Sequence, residues 1–266
     1  MINKTLYARE MKNSVKLLFI LAAVMALYIG IIIYMYEPEM MALLDSYVDA
    51  MPEMMAAVGM TAGATDLLGF MISYLYGFIL LVFPMIFCIL RADRLLARYT
   101  TSGAMSYLLA APVSRQRIVT TQIAALISGT FLLILFATAL EILVAEHFFP
   151  GDLDIPDLLA VNTGLLCLQL FIASLCFFFS AACSDSKLSL GLSASISTLA
   201  FILQMLANTS DKAADLKYAT FFTLFDPTGL AAGDISALLS SGALFLAAIL
   251  CFILAGLVFC RKSLSI

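Results

Sequence analysis

The chain has 266 residues, 63% hydrophobic and only 12% charged, with a formal net charge of −4. Soluble domains average about half apolar and about a quarter charged, so this composition excludes an ordinary soluble fold and predicts an all-α, polytopic membrane protein. The net charge decides little, because the two signs are segregated along the chain and that segregation sets topology.

Met1–Lys16 reads as an interfacial helix. Tyr7, Met11, Val15 and Leu18 share one face at helical spacing, with Arg9, Lys12, Asn13 and Lys16 on the other, the pattern of a helix lying among lipid headgroups. It is too polar, and the run after it too long, for a cleavable signal peptide. Leu17–Tyr36 is the first predicted span, long enough to cross a bilayer, with Tyr34 and Tyr36 at its outer interface. Residues 37–66 form an acidic loop without Lys or Arg, partly helical by the recurrence of Met40, Leu44, Tyr47, Val48 and Met51.

Phe70–Leu90 is the second span, and Pro84 predicts a kink near its basic end. Residues 91–117 carry Arg91, Arg94, Arg98, Arg115 and Arg117 against one acid, Asp93, and read as a cytoplasmic loop. Its centre, Gly103 to Ala111, reads as a short helix stopped by Pro112. Ile118 to about Ala145 is span three, Leu158–Cys183 span four and Leu188–Ala207 span five, with Ser184–Lys187 a tight inner turn. Residues 208–240 are too broken by Asp226-Pro227 and Gly229 to cross, and read as a partly re-entrant outer segment. Gly242–Cys260 is span six, ended by Arg261 and Lys262. Six spans with both termini inside leave only Lys212 and Lys217 outside among the basic residues. The whole of 1–266 is expected to be a single membrane domain.

Few residues offer chemistry. His147 lacks a sequence-near partner for a metal site or triad and reads as a surface histidine. Glu141 is expected to reach the headgroup region rather than form an ion site. Gln169 and Gln204 either line a path or bond a neighbouring helix. Ser189, Ser193 and Ser197 repeat every four residues, the spacing that lets helices approach closely; they face either a neighbour within the chain or a dimer or pore surface. Met51, Met54 and Met55 fit apolar packing better than copper(I). The cysteines lie inside spans or near their cytoplasmic ends, so neither disulfides nor a Cys-x-x-Cys metal site is expected. No Gly-rich loop ending in Gly-Lys-Ser or Gly-Lys-Thr is present to hold ATP.

The most specific run is Gly103-Ala-Met-Ser-Tyr-Leu-Leu-Ala-Ala-Pro-Val-Ser-Arg115. It resembles the loop between spans two and three of ABC transporter permeases of the type-2 export family, which has a Gly-Thr-like start, a Leu-Leu pair and Pro-Val/Ile-Ser-Arg. Gly103, Leu108-Leu109, Pro112, Ser114 and Arg115 match. An acid often precedes that glycine; here Tyr99-Thr100-Thr101-Ser102 stands instead. The layout of the whole chain is similar too.

The resemblance implies that the loop helix docks in a cleft of a soluble ATPase subunit, Leu108 and Leu109 filling an apolar pocket and Arg115 capping the helix or meeting an acid. Motion of the ATPases would pass into spans one, two and five. It implies a permease working as a dimer, with a second copy or a related permease, in contact with lipid and with no nucleic-acid partner. ATP and magnesium would sit on the ATPase, with no cofactor and no catalytic group on this chain. The expected location is the plasma membrane of a bacterial cell. Exporters of peptides, antibiotics, lipid-linked molecules and ions share this layout, so the substrate stays open. Two rival readings are a membrane immunity or sensor protein that binds a peptide without moving it, and an intramembrane enzyme, the latter disfavoured by the missing catalytic groups.

Overall fold

A backbone surrounded by apolar side chains must satisfy its own N–H and C=O groups, and each long apolar run here does so as a helix. The computed structural model describes residues 2–37, 43–44, 46–48, 50–60, 66–110, 113–209 and 211–262. Among them every regular element is helical. Five helices are long and apolar enough to cross a membrane, and a bent pair makes a sixth if it counts as one span.

Helix α1, Lys4–Tyr34, is continuous, so the expected interfacial helix and first span are one element of 31 residues. Asn3 starts it, its Oδ1 accepting from the N–H groups of Thr5 and Leu6 at 3.1 and 3.2 Å. The buried stripe is shifted from the one the apolar spacing suggested, whose Tyr7, Met11 and Leu18 are only partly buried against the core. Leu6, Glu10 and Ser14 face inward, followed by Leu21, Met25, Ile29 and Ile33, while Val15 is exposed. The reason is tertiary: Glu10 has a buried partner, described below.

After the short α2, Pro52–Ala57, come α3, Leu67–Met71, a π-turn over Ile72–Tyr76, and α4, Ile79–Leu95. The chain bends by 43° between the two halves. The kink was expected at Pro84, but Pro84 lies inside α4, and the break is at Gly77-Phe78. A π-turn at the break accounts for a sharp bend, and residues 58–59 pack closely against it. A Cβ on Gly77 would collide with the Val58 carbonyl, and one on Gly59, itself at φ +79°, would sit 2.8 Å from Gly77 Cα. Two glycines thus let two backbones touch.

The basic loop is mostly helix. A break at Leu96 separates α4 from α5, Ala97–Thr101; Gly103 at φ +72° turns the chain into α6, Ala104–Ala110. The Ala97 N–H, at the break, donates to Ser180 Oγ at 3.0 Å. Then α7, Arg115–Phe148, begins at Ser114, whose Oγ accepts from the Arg117 N–H. Its 34 residues make a rod of roughly 50 Å, longer than a bilayer's apolar core.

Helix α8, Ile155–Ala182, is the axis of the bundle. It packs against α4, α7, α9 (Ser186–Thr209), α10 (Pro227–Ala231) and α11 (Ile235–Arg261). The last helix starts at Ile235, seven residues before the predicted Gly242, because Ser240-Ser241-Gly242 stays helical where it packs. Ser241 is buried, and its Oγ lies 3.1 Å from where a Cβ on Gly164 of α8 would stand. Between α9 and α11 the chain forms two 3-10 turns, Asp211–Ala219 and Phe221–Leu224, and α10. Phe221 and Phe222 stack at 4.8 Å and meet Phe171 of α8 and Phe201 of α9. This segment folds back onto the helix ends.

Candidate functional site

Contacts bring Arg91, Arg94, Arg98, Arg115 and Lys262 to one end of the bundle. There α4 carries Arg91, 2% exposed, whose Nη2 lies 3.2 Å from Glu10 Oε2 and 3.1 Å from the Glu10 carbonyl oxygen. The Tyr99 hydroxyl donates to Glu10 Oε1 at 2.5 Å. Reading the loop as arginines against Asp93 alone missed Glu10. The signal was present: Glu10 is the one acid among Lys4, Arg9, Lys12 and Lys16.

A cavity of about 360 Å³ opens beside this pair, lined by Asn13, Arg94, Arg98 and Ser102 along with Arg91, Glu10 and Tyr99. Asp93 turns the other way and accepts from Ser186 Oγ at 2.9 and 2.8 Å, while the Ser186 N–H donates to Thr101 Oγ1 at 2.8 Å. Hydrogen bonds therefore tie α5 to α1 through Tyr99, to α8 through Ala97 and to α9 through Thr101.

Arg115 was expected to cap the loop helix or meet an acid on the ATPase; within this chain its Nη1 donates to the Lys262 carbonyl oxygen at 2.9 Å. Lys262 Nζ in turn donates to the carbonyls of Ala181, Ala182 and Cys183, at 3.2, 3.0 and 2.7 Å. A cation on the last carbonyls of a helix meets the negative end of its dipole, and partial burial pulls the Lys262 ammonium below its usual pKa. Of the other loop residues singled out by sequence, Leu108 is half-buried against this chain's own core. Gly103 makes the turn into α6, and Ser114 caps α7. The Leu109 side chain and Pro112 lie outside the described residues.

The serine stripe is internal. Ser189, Ser193 and Ser197 are at most 2% exposed, on a helix that packs against α4 and α8. Of the two readings left open, packing against a neighbour within the chain is the one this burial fits, the small side chains letting the helices approach closely. Gln169 also bonds a neighbouring helix. Its Nε2 donates to the Leu81 carbonyl at 2.9 Å, in the turn of α4 that Pro84 crowds. Gln204 differs, lining a second cavity of about 360 Å³ at the acidic end with Tyr76, Gly77, Phe201, Asn208 and Asp226. It accepts from Thr223 Oγ1 at 2.8 Å.

Glu141, expected to reach the headgroup region, is turned into the bundle. It is fully buried, and its Oε2 accepts from Asn162 Nδ2 at 2.8 Å and the Tyr76 hydroxyl at 3.2 Å. Asn162, on α8, and Tyr76, in the π-turn, were not singled out by sequence. A π-turn has no periodic signature, and the partnership joins residues 65 positions apart. His147 sits exposed at the far end of α7, edge-on to Phe148.

Long apolar helices packed around a hydrophobic core that holds a few bonded polar side chains, with unlike charges gathered at opposite ends, define the class: the features are those of a multi-pass membrane protein. Compared with protein-family models, curated proteins and solved structures, the chain matches none.

Proposed function

We propose that the chain is the membrane-spanning permease subunit of an ATP-binding-cassette exporter, working as a dimer with separate ATPase chains. The basic end faces the cytoplasm under the positive-inside rule. The observation that carries the reading is α6: a short helix at the basic end, between two membrane-length elements, in the run whose sequence resembles the ATPase-docking loop of type-2 export permeases.

The hydrogen bonds of α5 support it mechanically. A partner pressing on α6 pushes on α5, which is bonded to Glu10 of α1 and Ser186 of α9 and continues from α4. Those helices are spans one, five and two. Motion of the partner reaches the bundle through short stiff contacts rather than a slack loop.

The test is co-purification of an ATP-hydrolysing subunit with the tagged chain, repeated with Leu109→Asp. Loss of a central apolar anchor costs about 2 kcal/mol or more, roughly 30-fold in affinity. The variant is expected to keep its size-exclusion profile, to lose the ATPase and to lose transport-stimulated ATP hydrolysis. Arg115→Ala is expected to act more mildly. Wild-type ATPase association in Leu109→Asp sinks the coupling role of the loop, and with it the main support for the permease reading.

A further inference from the structure

We propose that Glu141, Asn162 and Tyr76 form a proton-binding site inside the helix bundle that exchanges with the cavity at the acidic end. The proposal needs only that the bundle sits in a membrane, not that an ATPase drives it.

The first observation is an imbalance of donors and acceptors. Both donors that reach Glu141 go to one oxygen, Oε2. Among the described residues the other, Oε1, is buried without a partner, and so is Oδ1 of Asn162, the residue whose amide holds the carboxyl. Two acceptors on adjoining groups both lack a donor. A proton on Oε1 turns that acceptor into a donor, and with the amide N–H already on Oε2 an acid O–H to the amide oxygen would complete the complementary pairing of a carboxylic acid with a primary amide. Without the proton, both oxygens stay unpaired and the charge has no counter-ion, which buried polar groups rarely tolerate.

The second observation is the surroundings. Among the described residues no ion pair reaches Glu141, and the salt bridge is Arg91–Glu10, at the far end. Helix α7 packs against α1, α4, α8 and α11. In its half of the bundle α1 buries Ile29 and Ile33, and α4 contributes Ile79, Leu80 and Leu81. Asp157 of α8, Asp66 before α3 and Asp234 before α11 stand at the helix ends. Glu146 and His147 of α7 itself are exposed. Tyr76 is the titratable group in contact with the carboxyl.

The third observation is access. Tyr76 bonds Glu141 and also lines the acidic-end cavity. It closes a π-turn and precedes the break at Gly77-Phe78. π-Turns occur often at functional sites, where the widened backbone re-aims a side chain. Chemically the step is simple: the carboxylate takes a proton from hydronium in the cavity, leaving water, and returns it by the same route. A metal ion fits less well. The site offers Glu141 Oε1, Asn162 Oδ1 and the Tyr76 oxygen, while calcium takes about six to eight oxygens.

The experiment is pH-difference infrared spectroscopy on the full-length chain in phosphatidylcholine nanodiscs, from about pH 5 to about pH 9. The wild type is expected to gain a carboxylic-acid carbonyl band as pH falls. Glu141→Gln, whose amide still pairs with Asn162, is expected to fold and to lack that band. Tyr76→Phe is expected to keep the band with altered frequency or exchange rate. The proposal is overturned if no pH-dependent band disappears in a folded Glu141→Gln, whether the carboxyl stays ionised or stays protonated throughout. It is equally overturned if the titration moves when sodium replaces choline as the buffer cation, which would make the site a metal-ion site.

Discussion

Arg91 and Glu10, 81 positions apart, form an ion pair at 3.2 Å in which both side chains are only 2% exposed. The guanidinium also donates to the backbone of Glu10, and Tyr99 occupies the second carboxylate oxygen. The pair joins α1 to α4 where α5 and α6 begin. Removing one partner leaves the other charge buried and uncompensated, at a cost of about 3–5 kcal/mol. Arg91→Ala is expected to lower the temperature at which the chain loses its monodisperse size-exclusion peak. The double change Arg91→Met with Glu10→Leu is expected to recover most of the loss. Circular dichroism serves as a second probe, since the chain has no tryptophan to report by fluorescence. An Arg91→Ala chain as heat-resistant as the wild type would show that the pair is not buried.

Gly77 and Gly191 separate packing from propensity. A Cβ on Gly77 would strike the Val58 carbonyl, whereas one on Gly191 meets nothing within 4 Å. Gly77→Ala is expected to destabilise by about 1–3 kcal/mol, as overpacking does. Gly191→Ala, inside α9, is expected to stabilise by about 0.5–1 kcal/mol through helix propensity alone. Heat-resistance measurements on the two variants should therefore move in opposite directions, and a shift of the same sign in both would contradict the close approach of residues 58–59 to Gly77.

Ser193 and Leu199 lie on one helix in opposite environments, 2% and 57% exposed. Ser193→Leu adds bulk where α9 packs against α8 and is expected to cost about 1–3 kcal/mol and lower the yield of folded protein. Leu199→Phe is expected to change little. Equal tolerance of both would remove the assignment of the serine stripe to packing within the subunit.

Orientation is tested by cysteines placed at exposed positions in a background without the native six. Asp154→Cys, at the acidic end, is expected to react with a membrane-impermeant maleimide added to intact cells. Ser102→Cys, at the basic end, is expected to react only after permeabilisation. Labelling of Ser102→Cys from outside would reverse the orientation.

Local features determined most of the architecture. Long apolar runs set the helices, because period and length are local properties. The caps at Asn3, Ser114 and Asp154 are equally local. So is the short helix after Gly103, since a turn residue and a following apolar run suffice to mark it. Charge segregation likewise needs no contacts to be read.

What tertiary structure decided was which polar residue meets which. Glu10 has nothing near it in sequence to mark its partner, and only α4 arriving with Arg91 turned it inward. Pro84 looked like the kink, yet the bend falls at the π-turn and Gly77, where Val58 packs close, a contact between segments that hydrophobic periodicity cannot relate. Glu141 looked like a headgroup residue, until Asn162 and Tyr76 closed on it. Hydrophobic spacing records which side of a helix avoids water. It does not record the distant donor that makes burying a charge tolerable, because that pairing exists only once the helices have packed.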